Sequence, residues 1–256
     1  MCESLFFCVI LSSFVKSLSA IIKQMNILIV SATHKEIAVC KQLVAGAHAT
    51  DANTYEWEGH RLTFLVTGVG LLATAFSMGC LNLTVYHWIV NVGVAGSFHK
   101  ELKLAQVVQV ISEEVEGFGI SSPTGFRDMF STGLVSPYEF PYSKGKLNAP
   151  NILGEYPDDF YLPKVHGLTS NTVHGREEEL VFLKEHYRAG IETQESAAFF
   201  YACIQSRHTH WLALRGISNY VEPRNRKAWK LEEAIEAVNH RLVAFLSILK
   251  ELKYNA

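Results

Sequence analysis

Arg215-Gly216-Ile217-Ser218-Asn219 closes an apolar run that begins at Trp211, and Tyr220-Val221-Glu222-Pro223-Arg224-Asn225-Arg226 follows it. A run of this kind reads as a strand buried on both faces. It delivers a polar triplet to its own carboxyl end. In an open α/β sheet that end is where ligands sit. Asn219 carries the most information, because an amide restricts what it can face in a way a carboxylate does not.

Working outward, strand-like runs alternate with helical ones, the pattern of an α/β fold. Strands are predicted over Met25–Ser31, Arg61–Thr67, Trp88–Val92, Ala105–Ile111, Lys164–Ser170 and Trp211–Ile217. Helices are predicted over His34–Val44, Leu71–Val85, Thr193–Ser206 and Ala228–Leu252. The last has a 3.6-residue period through Ile235, Val238, Leu242, Phe245 and Leu249. The stretch from Phe118 to Pro163, rich in Pro, Gly, Tyr and Ser, reads as loops with an edge strand. No repeat or linker divides the chain, so residues 25–256 read as one catalytic domain.

The 256 residues suffice for one large core. The net charge is -2, which gives no electrostatic footprint for nucleic acid. The five cysteines form no CxxC pair, so neither a zinc site nor a disulfide framework is expected. His208 and His210 read as non-metal residues at a surface turn. No cofactor is expected, and reduced thiols in the cytoplasm are the ordinary reading. Residues 1–24 read as an extension outside the fold. The apolar run Leu5–Leu11 is far too short to span a bilayer, for which about 20 residues are needed. Glu3 stands where a secretory signal wants positive charge.

Thr67-Gly68-Val69-Gly70-Leu71-Leu72-Ala73 fits G-x-G-x-x-A. A dinucleotide site also wants an acidic ribose ligand about 20 residues on, and the next strand end offers Asn91. A tight turn whose amides reach a small ligand, Gly70 among them, is the better reading, and it disfavours a nucleotide-dependent oxidoreductase. Asn91-Val92-Gly93-Val94-Ala95-Gly96-Ser97 reads as a second glycine turn, where Gly93 lets backbone approach a ligand. Two such turns on adjacent strand ends make a shared cleft. Glu192-Thr193-Gln194-Glu195-Ser196-Ala197-Ala198 enters a helix. Acidic residues there are ordinary dipole complements. Small residues after Glu195 also let the helix pack close and aim that carboxylate at the cleft, where it suits a ribose cis-diol.

Taken together, Ala32-Thr33-x-x-Glu36, Thr67-Gly68-Val69-Gly70, Asn91-Val92-Gly93-Val94-Ala95-Gly96, Glu192-x-x-Glu195-Ser196-Ala197-Ala198 and Arg215-x-x-Ser218-Asn219 resemble the nucleoside phosphorylase/nucleosidase superfamily, from about Met25 to Leu252. Ser218 to Arg226, with Trp229 beyond, resembles its futalosine hydrolase branch, whose members release hypoxanthine from futalosine on an alternative route to menaquinone. The resemblance implies a three-layer α/β/α fold with a central mixed, twisted sheet. It also implies a homo-oligomer that takes a small nucleoside and no membrane partner.

The resemblance implies roles as well. Glu36 activates water, and Arg215 holds Glu36 or that water through its fork. Glu195 binds ribose, with Gln194 beside it. Asn219, after Ser218, addresses the base: its oxygen accepts from a protonated N7 while its NH₂ donates to a 6-oxo group. Val92 and Val94 stand where the phosphorylases place an arginine and a hydroxyl for phosphate, so water is the expected nucleophile. His174 and the Phe118–Phe126 segment are candidate walls. Arg224 and Arg226 are candidate grips for the carboxylate on the substrate's aromatic arm. A methylthioadenosine, S-adenosylhomocysteine or aminodeoxyfutalosine nucleosidase is the alternative enzyme, and a non-catalytic nucleoside-binding protein the alternative of another class.

Overall fold

The computed structural model describes residues 24–44, 48–51, 53–152, 160–223 and 225–251. The extension read over residues 1–24 falls almost wholly outside them, as does Arg224.

Elements in chain order are β1 (Asn26–Ser31), α1 (His34–Leu43), β2 (His48–Asp51), β3 (Thr54–Trp57), β4 (His60–Val66), α2 (Leu71–Gly79), β5 (Trp88–Ser97), β6 (Val107–Val115), β7 (Gly119–Ser122), β8 (Gly125–Asp128), β9 (Leu147–Asn148), β10 (Lys164–Thr169), α3 (Glu177–His186), β11 (Ile191–Thr193), α4 (Ser196–Gln205), β12 (Trp211–Tyr220) and α5 (Leu231–Glu251). The main sheet runs β11-β10-β6-β12-β5-β1-β4-β3-β2, and β11 also pairs with β5. That extra pairing closes β5, β12, β6, β10 and β11 into a small barrel at one side. Parallel pairs (β1 with β4 and β5, β12 with β5) and antiparallel ones (β12 with β6, β11 with β5) share the sheet, so it is mixed as expected.

Strand periodicity produces the three layers. On β1, Ile27 and Ile29 enter the core under α1 and α5, while Leu28 and Val30 enter the opposite core with Phe199 and Phe200 of α4. Val238, Leu242, Phe245 and Leu249 of α5 are fully buried, each such burial stabilising by about 1.5–3 kcal/mol. Packing of one face therefore holds this helix in place.

The strand read over Ala105–Ile111 is Val107–Val115, the last helix begins at Leu231, and four further readings change. The helix read over Leu71–Val85 ends at Gly79. The Asn82 side chain then accepts from Thr84 N at 3.2 Å and caps a short 3₁₀ turn, Leu83–Val85. The helix read from Thr193 starts at Ser196, because Ile191–Thr193 pairs as β11 with β10 and β5. The segment Asn91–Ser97 is no turn: β5 runs unbroken from Trp88 to Ser97. Its glycines lie in register with large polar neighbours, Gly93 beside Arg215 and Gly96 beside Asn219, which is the close approach that a strand glycine permits. Finally, β12 continues past Ile217 to Tyr220 with a register shift between Ile217 and Asn219. That bulge re-aims the Ser218-Asn219 pair, a common device beside sites. The hairpins β2–β3 and β7–β8 and helix α3 carry too weak a period to be read from sequence.

Candidate active site

The ends of β1, β5, β11 and β12, with the starts of α1 and α4, surround a cavity of about 370 Å³. Thr33, Glu36, Glu192, Gln194, Glu195 and Asn219 are among its lining residues. These residues lie in three segments of the sequence, and the sheet gathers them.

Glu36 is the third residue of α1, and with Thr33 it forms a capping box. Its Oε2 accepts from Thr33 N and Thr33 Oγ1, both at 2.9 Å. Oε1 accepts from Val94 N at 3.3 Å. Capping thus fixes the carboxylate, and one oxygen lies beside β5. Asn239 on α5 holds the same turn from behind: its Nδ2 donates to Glu36 O at 2.7 Å, and its Oδ1 accepts from Cys40 N at 2.9 Å. Room for Oε1 exists because residue 93 is glycine. A Cβ there would stand 2.8 Å from Oε1 and 3.7 Å from Arg215 Cζ.

Arg215 lies fully buried beneath this carboxylate. Its Nη2 donates to Asn91 Oδ1 and to Ser196 Oγ (2.6 Å), and Nη1 donates to Leu214 O at 2.9 Å. No direct hydrogen bond joins it to Glu36, so the expected fork on that carboxylate is replaced by one on Asn91 and Ser196. Burial lowers its pKa, opposed by the nearby Glu195, Glu36 and Glu113 carboxyls. Arg215 acts on Glu36 as a buried positive field.

Glu195 occupies the N-cap position of α4 yet makes no capping bond. Its Oε1 instead accepts from Gly70 N at 2.9 Å. Gly70 has φ of 94°, a left-handed conformation that suits glycine, and it turns this amide across the cavity. Burial raises the Glu195 carboxyl pKa, and the Gly70 hydrogen bond lowers it.

Asn219 is committed at both ends of its amide. Ser218 Oγ donates to Oδ1 at 2.8 Å, and Nδ2 donates to Tyr220 O at 3.1 Å. One lone pair and one N–H remain to face a ligand. His174 lies buried, its Nδ1 against Glu192 and its backbone N donating to the same carboxylate at 3.4 Å. It supports the cavity wall through Glu192, while its neighbour Val173 does the lining. Arg226 is exposed, its guanidinium 5.9 Å from the Trp229 ring, and Trp229 reaches the cavity.

Four polar residues here have no site role assigned from the sequence: Asn91, Ser196, Glu113 and Glu192. Asn91 and Ser196 hold Arg215, Glu113 lies near it, and Glu192 lines the cavity. Asn91, Ser196 and Glu192 stand inside the motifs quoted from the sequence, and Glu113 stands in none of them. Among the described residues no cluster of three or more His, Cys, Asp or Glu side chains fits a metal ion. No helix there is long and apolar enough to cross a membrane.

The sequence model of the Phosphorylase superfamily matches residues 26–253. Futalosine hydrolase of Thermus thermophilus is 27% identical over 186 residues, 71% of this chain and 81% of that protein. Futalosine hydrolase of Streptomyces coelicolor is 25% identical over 205 residues, 76% of this chain and 84% of its own. Among solved structures, native futalosine hydrolase of Helicobacter pylori superposes with a TM-score of 0.69 at 18% identity, over 89% of this chain and 98% of that one. A 5'-methylthioadenosine/S-adenosylhomocysteine nucleosidase from Colwellia psychrerythraea, solved with adenine, gives 0.69 at 19% identity over 89% and 96%. At such identities these two structures speak to the fold. With nearly the whole described sheet and its site segments inside the matched region, the chain belongs to the Phosphorylase superfamily.

Proposed function

We propose that this chain is a purine nucleosidase that hydrolyses the N-glycosidic bond of a 6-oxopurine nucleoside, and that futalosine is its substrate. The observation that carries the reading is Asn219, an amide facing the same cavity as Glu36 and Glu195. A free carbonyl lone pair and a free N–H side by side suit a protonated N7 and a 6-oxo group. An adenine 6-amino group would meet the amide N–H donor to donor.

The chemistry follows from the arrangement. Glu195 holds the ribose hydroxyls. As the C1'–N9 bond lengthens, positive charge develops on the sugar. Glu36 takes a proton from water while the water oxygen bonds to C1', above the buried charge of Arg215. The electrons of the broken bond leave on the purine, whose N7 takes a proton from solvent and donates that N–H to Asn219 Oδ1, while Glu36 returns its proton to solvent. Val92 and Val94 offer no charged partner to a phosphate dianion, and burying one unpaired is costly. The products are then hypoxanthine and the hydrolysed sugar moiety of futalosine, on the route to menaquinone. Arg226, beside Trp229 at the cavity, is the described candidate for the substrate's carboxylate arm.

We also infer a homo-oligomer. Leu72 and Phe76 on α2 are 88% and 75% exposed, beside a hollow lined by Leu71, Leu72, Met78, Ala198 and Tyr201. Large exposed apolar patches of this kind mark association surfaces. A solution mass of one chain would oppose this. For the activity, release of hypoxanthine from futalosine without phosphate supports the reading, and a preference for methylthioadenosine contradicts it.

A further inference from the structure

Beneath Arg215 lies a carboxyl group that the hydrolysis above does not use. Glu113 of β6 is fully buried. It fits because residue 167 on the neighbouring strand is glycine: a Cβ there would collide with the Glu113 carboxyl. Oε2 meets Thr169 Oγ1 at 2.9 Å, Thr169 Oγ1 meets Thr193 Oγ1 at 2.9 Å, and Thr193 Oγ1 meets Glu113 Oε1 at 3.5 Å. These three oxygen contacts form a closed triangle. The two threonines bring two hydroxyl hydrogens, so an ionised Glu113 leaves one contact without a proton. A neutral carboxyl supplies the third.

Charge leads to the same place. Arg215 is the guanidinium at this centre, and three carboxyls bear on it: Glu195, Glu36 and Glu113. They come from the head of α4, from α1 and from β6. Of the other neighbouring acids, Glu192 of β11 is held by His174, and Glu114 pairs with Lys146. Three buried carboxylates around one cation leave two negative charges uncompensated, and a buried group in that position neutralises instead. Burial is the main cause that raises the Glu113 pKa, to about 8.

The same triangle reaches the cavity. Thr169 Oγ1 accepts from Ala197 N at 2.9 Å, in the first turn of α4. Ser196 Oγ accepts from Arg215 Nη2, and its hydroxyl acts on Glu113 as well. Both contacts lie directly after Glu195.

We propose that Glu113 is a positioning residue that carries a proton in the working protein, keeping the charge of Arg215 for Glu36 and Glu195 and fixing the head of α4. The proposal rests on Glu36, Glu195 and Arg215 serving the hydrolysis described above. Loss of the proton would bring a third carboxylate into competition for Arg215 and open the hydroxyl triangle.

The test compares wild type, Glu113→Gln and Glu113→Ala, each checked for folding by circular dichroism. Gln mimics the neutral acid, donating from Nε2 and accepting at Oε1. For futalosine, kcat/KM of the wild type is expected to fall above about pH 8, and Glu113→Gln is expected to lack that fall. Substrate ionisation is common to both proteins and cancels in their ratio. Glu113→Ala is expected to lose about tenfold or more in kcat/KM, and Glu113→Gln to restore it near neutral pH. Infrared difference spectra should show a protonated-carboxyl band in the wild type that Glu113→Gln removes. A folded Glu113→Gln protein as impaired as Glu113→Ala overturns the proposal. So does an alkaline fall shared with the wild type, or a carboxyl band indifferent to the substitution. If the wild type releases no base from futalosine, the functional reading fails and the infrared band still judges the proton on Glu113.

Discussion

Gly93 and Glu36 meet across a gap that exists only because residue 93 has no side chain. An added Cβ would stand 2.8 Å from Glu36 Oε1, well inside ordinary contact. Gly93→Ala is therefore expected to push the carboxylate off its Val94 amide and cost about 1–3 kcal/mol of stability by overpacking. Steady-state kinetics should show a fall in kcat larger than any rise in KM, since Glu36 is assigned to the water and not to the substrate. An alanine variant with unchanged kcat would remove Glu36 from the chemistry.

Glu36→Gln separates the helix-capping duty of this residue from its proposed catalytic one. Gln completes a capping box as well as Glu does, so the melting temperature should hardly move. A general base contributes about 10²–10⁴ in rate, and kcat should fall by that order. A variant that loses stability as steeply as activity would mean that capping was the whole of its role.

Asn239 ties α5 to the turn of α1 that carries Glu36. Replacing it with Ala strips partners from Glu36 O and Cys40 N in a fully buried place. The cost should be about 1–3 kcal/mol, visible as a lower denaturant midpoint with unchanged slope. Activity at low temperature should drop less than in Glu36→Gln, because Thr33 still holds the carboxylate.

The pH dependence of stability follows from Glu113. Its folded pKa, about 8, lies above the ordinary carboxyl value of 4.5. Between those values the folded protein binds a proton that the unfolded chain has released. Its contribution to stability is then full below about pH 4.5 and is lost as pH rises to about 8. The melting temperature of the wild type should decline across that window more steeply than that of Glu113→Gln. Parallel curves would mean that Glu113 is ionised in the folded state.

Sequence and structure agree best where a period or a chemical type is strong. The apolar run of β1 and the 3.6 period of α5 are legible in the sequence, and so are Glu36, Glu195 and Asn219 as members of one cleft. In the sequence Asn91–Ser97 reads as a turn because its two glycines look like punctuation. They are instead the flat places on a strand that admit Glu36, Arg215 and Asn219. The partners of Arg215 are not legible as such, since Asn91 on β5 and Ser196 at the head of α4 lie far apart in the chain and meet only in the folded sheet. Glu113 in particular reads as a surface acid beside Glu114. Only the closure of β5, β12, β6, β10 and β11 buries it.

Asn219→Asp tests how the base is read. A carboxyl can donate to N7 and accept from a 6-amino group. The substitution should shift the ratio of futalosine to methylthioadenosine turnover toward the latter by roughly ten- to a hundredfold, the worth of one mismatched buried group at about 1–3 kcal/mol. An unchanged ratio would leave Asn219 a structural partner of Ser218.

Base release by the purified protein from futalosine and from methylthioadenosine, each with and without phosphate, bears most directly on the central claim. Hypoxanthine freed from futalosine, faster than adenine from methylthioadenosine and at a rate indifferent to phosphate, is the expected result. Faster release of adenine, or a rate that depends on phosphate, would contradict it.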